Sequence, residues 1–412
     1  MALDLILRNT QIADAAGELT PCDIGVKDGE IVEIAKSISA DAEILDAEGG
    51  FVSAGLIETH IHLDKSRITD RCSPSPNRGV DHMVRVAAVK SEFTVEDVYA
   101  RARQTLEHCI ANGTMHMRTH VEVDPNVGLR GFEALQQLAE DYRWAIDLEL
   151  CAFAQEGWTN VPEADVNVEE CLKRGATVVG GAPGYDPDHA GQINRIFDLA
   201  REYDVDVDIH LDVGYTTDDM DIHLVCDLAD KYGWGGRTAV GHGAKYSCLP
   251  PDELRTLGQR LANAGVSVTV LPATDLFVTG RHQDHSVMRG VADANALMQC
   301  GANCSLSSNN ILNPFTPFGD GSLTRMANLY ANVTQRGADE ELVECFEMLT
   351  RRPARILRRD DYGIVVGNPA DLVVWNANSP IEAVATVARP LHGFKRGRRT
   401  FTQTLPELHP PV

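Results

Sequence analysis

Between residues 52 and 358, short apolar runs of strand length alternate with longer segments whose apolar positions recur at helical spacing. The runs are Phe51–Leu63, Met115–Val123, Leu148–Gln155, Thr177–Ala182, Val205–Leu211, Thr238–His242, Val266–Leu271 and Ala302–Ser308. Amphipathic segments lie between them, among them Val95–Ala111, Gly191–Tyr203, Asp219–Tyr232 and Asp252–Ala264. Eight such β–α units predict a closed (β/α)8 barrel of the TIM type, a fold of about 250 residues or more. A doubly wound open sheet is the competing arrangement. Eight strands is the number that closes a barrel, and no glycine-rich dinucleotide fingerprint follows an early strand, so the barrel is expected.

Both ends of the chain read differently. Leu5-Ile-Leu-Arg-Asn9, Asp23-Ile-Gly-Val-Lys-Asp28 and Gly29-Glu-Ile-Val-Glu-Ile34 are β-rich runs broken by turn formers, with Asp28-Gly29 as a hairpin signal. The stretch Gly363–Trp375 likewise has no helical period. Two all-β pieces therefore flank an alternating middle.

Composition narrows the function. Of 412 residues, 43% are hydrophobic and 24% charged, which suits a globular enzyme and excludes disorder. The formal net charge is −23, so the chain is expected to bind neither nucleic acid nor an anionic membrane; small neutral or cationic substrates fit better. No secretory signal and no bilayer-spanning apolar stretch is read in the sequence. Ten cysteines contain no CxxC pair, the closest being Cys300 and Cys304, so they read as reduced core thiols and a cytoplasmic location is expected. Homo-oligomerisation is left open.

In a barrel, chemistry sits where strands end, at the C-terminal face. The first run ends in His60-Ile-His62-Leu-Asp64-Lys65. Residues two apart in a strand share a face, so His60 and His62 converge on the barrel mouth, where two imidazoles suit one transition metal. Alone, the pair reads equally well as two satisfied histidines. The fifth run, however, ends in Asp208-Ile-His210-Leu-Asp212, the sixth in Gly241-His242 and the eighth in Ser307-Ser308-Asn309-Asn310. Histidines ending three strands of one barrel point to a metal site.

The run Gly55-Leu-Ile-Glu-Thr-His60-Ile-His62-Leu-Asp-Lys65 resembles the signature of the amidohydrolase superfamily, closest to its cytosine deaminase branch and also similar to triazine-ring amine hydrolases. The resemblance covers nearly the whole chain, through Arg118-Thr-His120-Val-Glu, Ala152-Phe-Ala-Gln155, Val179-Gly-Gly, Asp208-Ile-His210, Val240-Gly-His242, Asn313-Pro-Phe-Thr-Pro-Phe and Tyr362-Gly-Ile…Gly367-Asn-Pro-Ala-Asp. It implies a barrel over residues 55–359 and one small β-sandwich domain made from residues 1–54 plus 360–412. It also implies that His60, His62 and His210 ligate a single divalent transition metal, zinc or iron. The bridging lysine of two-metal relatives is missing from Val178-Val-Gly-Gly-Ala182. His242 would polarise the substrate or the attacking water, and Gln155 would hydrogen-bond a heterocycle. Lys65, His120 and Asn310 are further pocket candidates, although Lys65 reads equally as an ion-pair partner of a nearby acid. Trp158 would either stack on a flat ring or cover the barrel rim.

Two positions depart from that pattern. Asn309 stands where the family has a general-base aspartate, and Val213 stands where cytosine deaminases have a proton-shuttling glutamate. A carboxamide has no useful basicity near neutral pH. Three explanations stay open: another group (Asp212, Glu122, His120 or His242) takes over, the metal-activated water needs no strong base, or the protein binds a ligand without turnover. The expected activity is metal-dependent hydrolysis of a C–N bond in a small nitrogen heterocycle, with cyclic-amide hydrolysis or a ligand-binding barrel as alternatives. His282, Asp284 and His285, in Gly280–His285, read as a solvated polar loop in preference to a lining of the mouth, Asp218–Asp221 as an acidic first helical turn, and the Ser/Pro-rich Cys72–Gly79 as a mobile loop over the mouth.

Overall fold

In the computed structural model, which describes residues 2–77 and 79–409, four strands come first: β1 (Leu5–Ala13), β2 (Leu19–Lys27), β3 (Glu30–Ala35) and β4 (Glu43–Asp46). They form one sheet in the order β3-β2-β1-β4. The β2–β3 hairpin turns on Asp28 and Gly29, both at positive φ (51° and 83°), as a two-residue primed turn requires. A short β5 (Val52–Ala54) then leaves this sheet to pair with a strand near the other end of the chain.

The eight apolar runs become β6 (Leu56–Ile61), β7 (Thr114–Glu122), β8 (Asp147–Phe153), β9 (Val178–Val179), β10 (Asp206–Leu211), β11 (Thr238–His242), β12 (Val266–Val270) and β13 (Cys304–Leu306). They are parallel and neighbour one another in sequence order. The sheet closes where β6 meets the residues after β13: the Asn309 N–H donates to the His60 carbonyl (2.9 Å) and the His62 N–H to the Asn309 carbonyl (2.8 Å). The result is a (β/α)8 barrel. Helices Val95–Ala111, His189–Tyr203, Ile222–Tyr232 and Pro251–Ala264 lie near the predicted segments.

Three expectations are corrected. Phe51–Leu63 is not one strand; it breaks at Gly55, where a side chain would come within 2.4 Å of Met115, and the chain passes there from sandwich to barrel. The fourth barrel strand stops at Val179, since Gly180 and Gly181 carry no side chain and a Cβ on Gly180 would meet the Asp208 carbonyl at 2.3 Å. The acidic run Asp218–Asp221 precedes its helix, which begins at Ile222.

After the barrel, β14 (Leu372–Trp375), β15 (Pro390–Lys395) and β16 (Arg398–Thr402) join β5 in a second four-stranded sheet, β16-β15-β14-β5. Leu5, Leu7, Ile24 and Ile31 of the first sheet share one apolar core with Val52, Leu372, Val374 and Phe394 of the second. A small β-sandwich thus draws strands from both chain ends. Among the described residues, no helix is long and apolar enough to cross a membrane.

Barrel and sandwich are joined by a buried charge cluster. Lys395 Nζ donates to Asp147 (2.9 Å), Asp371 (2.7 Å) and the Met115 carbonyl (3.2 Å), and His116 lies against both carboxylates. Burial disfavours ionised Asp371, but His116 and Lys395 outweigh it and hold this carboxyl well below the usual carboxylate range. Removing the one ammonium leaves buried Asp371 with His116 as its remaining side-chain partner, while Asp147 keeps Arg359 and Arg396, so Lys395→Met is expected to destabilise the protein by about 3 kcal/mol. A carboxyl with a depressed folded-state pKa stabilises above its unfolded value of about 4 and loses that contribution as pH falls through the folded one. The gap in thermal midpoint between wild type and Lys395→Met should therefore be full at neutral pH and narrow below pH ~4. An unchanged midpoint at pH 7 would refute this joint.

Candidate active site

Barrel closure sets the first two histidines. Alternation along β6 sends His60 and His62 to the same side, and both are almost completely buried. Gly241 on β11 makes room for them, since a Cβ there would lie 2.6 Å from His60 Cε1. His210, near the end of β10, meets both: its Nε2 lies 3.1 Å from His60 Nε2 and 2.9 Å from His62 Nε2. The Nδ1–H of His210 donates to the Gly181 carbonyl (3.2 Å), which turns the Nε2 lone pair toward the other two rings.

Burial, and then neighbouring imidazoles or Lys65, drives the pKa of all three well below the ordinary histidine value, so the rings are neutral and their lone pairs free. Three neutral imidazole nitrogens meeting at one point is a donor set a divalent transition ion satisfies. His60, His210 and His242 also present ligand atoms within 4.8 Å of one another. The residues fit such a metal. His116, Asp147 and Asp371 group as closely, but Lys395 already supplies the cation there.

His242 ends β11 with φ 78° and stands beside this trio. Its Nδ1–H donates to Asp275 Oδ1 at 2.6 Å, and Asp275 is fully buried in the helix Pro272–Val278 that follows β12. Nε2 is left as an acceptor. Asn309 Nδ2 approaches it to 3.5 Å, while Asn309 Oδ1 is buried without a partner. The sequence reading missed Asp275. Its signal was position alone: an acid five residues beyond the end of the seventh barrel strand.

His62, His210 and His242 floor a cavity of about 680 Å³ that Gln155, Lys65, Asn309 and Asn310 also line, with His60 buried just beneath. Gln155 is held through its backbone, whose N–H donates to Asp124 (3.0 Å), leaving the side-chain amide on the cavity wall. Lys65 combines both of its expected roles, bonded to Glu122 while lining the cavity under the Phe315 ring. Asn310 Oδ1 accepts from Asn313 Nδ2 (2.7 Å), which fixes it against the loop after β13.

Two candidates lie elsewhere. His120 is behind the cavity, stacked on His60 with ring centroids 3.7 Å apart and 3.4 Å from Asp208. Trp158 is buried away from the cavity, donating from its indole N–H to Asp165 (2.8 Å). Packing claims both rings, which is why neither lines the cavity. Conversely, His282, read as a solvated loop in preference to a lining of the mouth, lines it together with Arg281, whereas Asp284 and His285 are solvated as expected. Of the Cys72–Gly79 loop only Gly79 lines the cavity, and Arg78 lies outside the described residues.

The groups proposed to replace the missing carboxylates can be compared directly. Burial opposes ionisation of Glu122, but Lys65 and Lys90 outweigh it and hold its carboxyl down at about 2. Asp212 accepts the backbone N–H groups of Asp221 (2.9 Å) and Ile222 (3.3 Å), so its oxygens cap a helix. His120 is enclosed. Only His242 of the four presents a free acceptor nitrogen to the cavity beside the histidine trio.

Comparison with known proteins agrees with this geometry. The amidohydrolase family profile matches residues 43–179 and 169–401. The chain is 29% identical over 409 residues to N-isopropylammelide isopropyl amidohydrolase of Pseudomonas sp. (strain ADP), covering 96% of each, and 26% identical over 367 residues to pterin deaminase of Rhizobium rhizogenes, covering 87% of this chain and 83% of the relative. The structure of 5-methylcytosine deaminase from Klebsiella pneumoniae liganded with 5-fluorocytosine superposes with a TM-score of 0.91 at 27% identity, covering 98% of this chain and 99% of that one. Matched by the family profile over most of its length, and built on the same barrel, this chain belongs to the amidohydrolase family.

Proposed function

We propose that the protein is a metal-dependent hydrolase that cleaves an exocyclic C–N bond of a small nitrogen heterocycle, releasing ammonia or an amine. The observation that carries this reading is the neutral trio His60, His62 and His210, of which His62 and His210 line the cavity and His60 lies directly beneath, beside the His242–Asp275 pair. The trio would hold one zinc or iron ion, which supplies an activated water and a Lewis acid when bound. The relatives' names, an ammelide amine hydrolase, a pterin deaminase and a methylcytosine deaminase, favour a flat heterocycle over a cyclic amide.

Within the cavity, the Gln155 amide donates and accepts along one polar edge of the ring, and Lys65 and Asn310 bound its position. His242 Nε2 takes the proton released during attack and returns it to the departing nitrogen. Asp275 keeps Nδ1 protonated and so keeps Nε2 available, and it stabilises the imidazolium that forms. Asn309 cannot take a proton; its amide steadies the edge of the site through the 3.5 Å approach to His242. The same reading assigns residues 55–359 to the catalytic barrel and residues 1–54 plus 360–412 to one supporting β domain. Ten unpaired cysteines support a reducing, cytoplasmic setting.

The test is ammonia or amine release from a panel of aminopyrimidines, aminotriazines and pterins by zinc- or iron-loaded protein, wild type beside Asp275→Asn and Asn309→Asp. Removing the acceptor that fixes the His242 tautomer should lower kcat by about 10²–10⁴-fold with little change in KM. Asn309→Asp should bring little gain, because His242 already moves the proton. Full activity in Asp275→Asn, or a large gain in Asn309→Asp, would refute the assignment of proton transfer. No metal-dependent turnover on any member of the panel would refute the hydrolase reading.

A further inference from the structure

At about 680 Å³ the cavity lies within the range of ~300–1,000 Å³ that encloses a drug-sized ligand, more than one six-membered ring requires. Its extra space leads from His62 past Lys65 and Phe315 to a second set of polar groups. Lys65 Nζ lies 4.6 Å from the Phe315 ring centroid, and Phe315 is 5.9 Å from the ring of His82. His82 is only 5% exposed, lines the cavity, and has no hydrogen-bond partner on either ring nitrogen. Its other neighbour is Phe277, stacked with centroids 5.8 Å apart.

The guanidinium of Arg281 lies over that same Phe277 ring at 5.3 Å. Its Nη2 donates to the Ser75 carbonyl (3.3 Å), whereas its buried Nε has no partner. Thr279, also on the cavity wall, has a buried hydroxyl without a partner. Despite the net charge of −23, no carboxylate among the described residues pairs with Arg281. The nearby Asp81 carboxylate is already engaged, by the Met83 N–H (2.7 Å) and the Tyr185 hydroxyl. Native structures rarely leave three buried polar groups on one wall unpaired unless something else satisfies them.

We propose that Arg281 and His82 form a subsite for a carboxylate carried by the heterocycle, remote from the C–N bond that is cleaved. The proposal rests on the heterocycle hydrolase reading above and adds the substrate's charge to it. The guanidinium fork matches a carboxylate with two N–H donors. Burial, reinforced by Arg281, pushes the pKa of His82 down to about 4, so the ring is neutral and offers one N–H as a third donor. Phe277 backs both groups with an apolar surface, against which each contact is stronger than in open water. A chain this acidic would repel an anionic substrate from most of its surface, and a guanidinium without a carboxylate partner on the cavity wall gives that substrate a place to dock.

The experiment is calorimetric binding to the metal-loaded protein of two matched pairs: pterin carboxylate against methylpterin, and cytosine carboxylate against methylcytosine. In at least one pair the carboxylate member should bind about 10–100-fold more tightly to wild type, the range of a charge-assisted, bidentate contact. Arg281→Gln should abolish the difference within that pair, and Arg281→Lys should keep part of it. No preference in wild type, or an equal loss for both members in Arg281→Gln, would overturn the subsite. Benzoate, which has the carboxylate but no cleavable amine, separates the two claims by saturation-transfer NMR. Benzoate bound by wild type and lost in Arg281→Gln, with no heterocycle bound, would keep the anion subsite and refute the heterocycle reading. Heterocycles bound without preference and benzoate unbound would do the reverse.

Discussion

Two backbone hydrogen bonds, from the Asn309 N–H to the His60 carbonyl and from the His62 N–H to the Asn309 carbonyl, tie the eighth barrel strand to the first. The arrangement of the site depends on them. Strand alternation has a period of two, so a slip of one residue at this seam would turn His60 and His62 away from the mouth. Because Asn309 occupies the left-handed region (φ 59°), a conformation asparagine tolerates better than most residues, its side chain reaches toward His242. The residue that departs most from the family pattern therefore still closes the barrel.

Around that seam, charges are sorted into separate compartments. The metal-ligand candidates are kept neutral by burial. Behind them Asp208 lies between His120 and Arg118; burial opposes its charge, but these partners hold its carboxyl far below the usual range. Beside them Glu122 is locked between Lys65 and Lys90. Each acid in these networks is matched to a cation and so cannot act as a base near neutral pH. His242, backed by Asp275, presents its Nε2 to the cavity next to the trio.

Much of this was legible in the sequence because it follows from periodicity. Eight apolar runs announced eight strands, and histidines at the ends of the first, fifth and sixth marked the mouth. What could not be read depends on contacts between distant segments. Gly55 breaks a continuous apolar run only because Met115 presses on it. His120 carries the same alternation signal as a cavity residue, yet stacking on His60 claims its ring. Trp158 is turned by Asp165 and Asp186, and Asp275 gains its meaning from His242, 33 residues earlier. Arg281 lies in a segment with every mark of a solvated loop, and the Phe277 ring and the Ser75 carbonyl hold it at the cavity wall.

The central claim is that His60, His62 and His210 form a ready-made metal site without help from a carboxylate at position 309. Anomalous diffraction from crystals of the protein grown with zinc, recorded on both sides of the zinc edge, tests this most directly. The account predicts one strong peak at about 2.0–2.2 Å from the Nε2 atoms of all three histidines. A peak at His116, Asp147 and Asp371 instead, or none within coordination distance of the trio at saturating zinc, would contradict it.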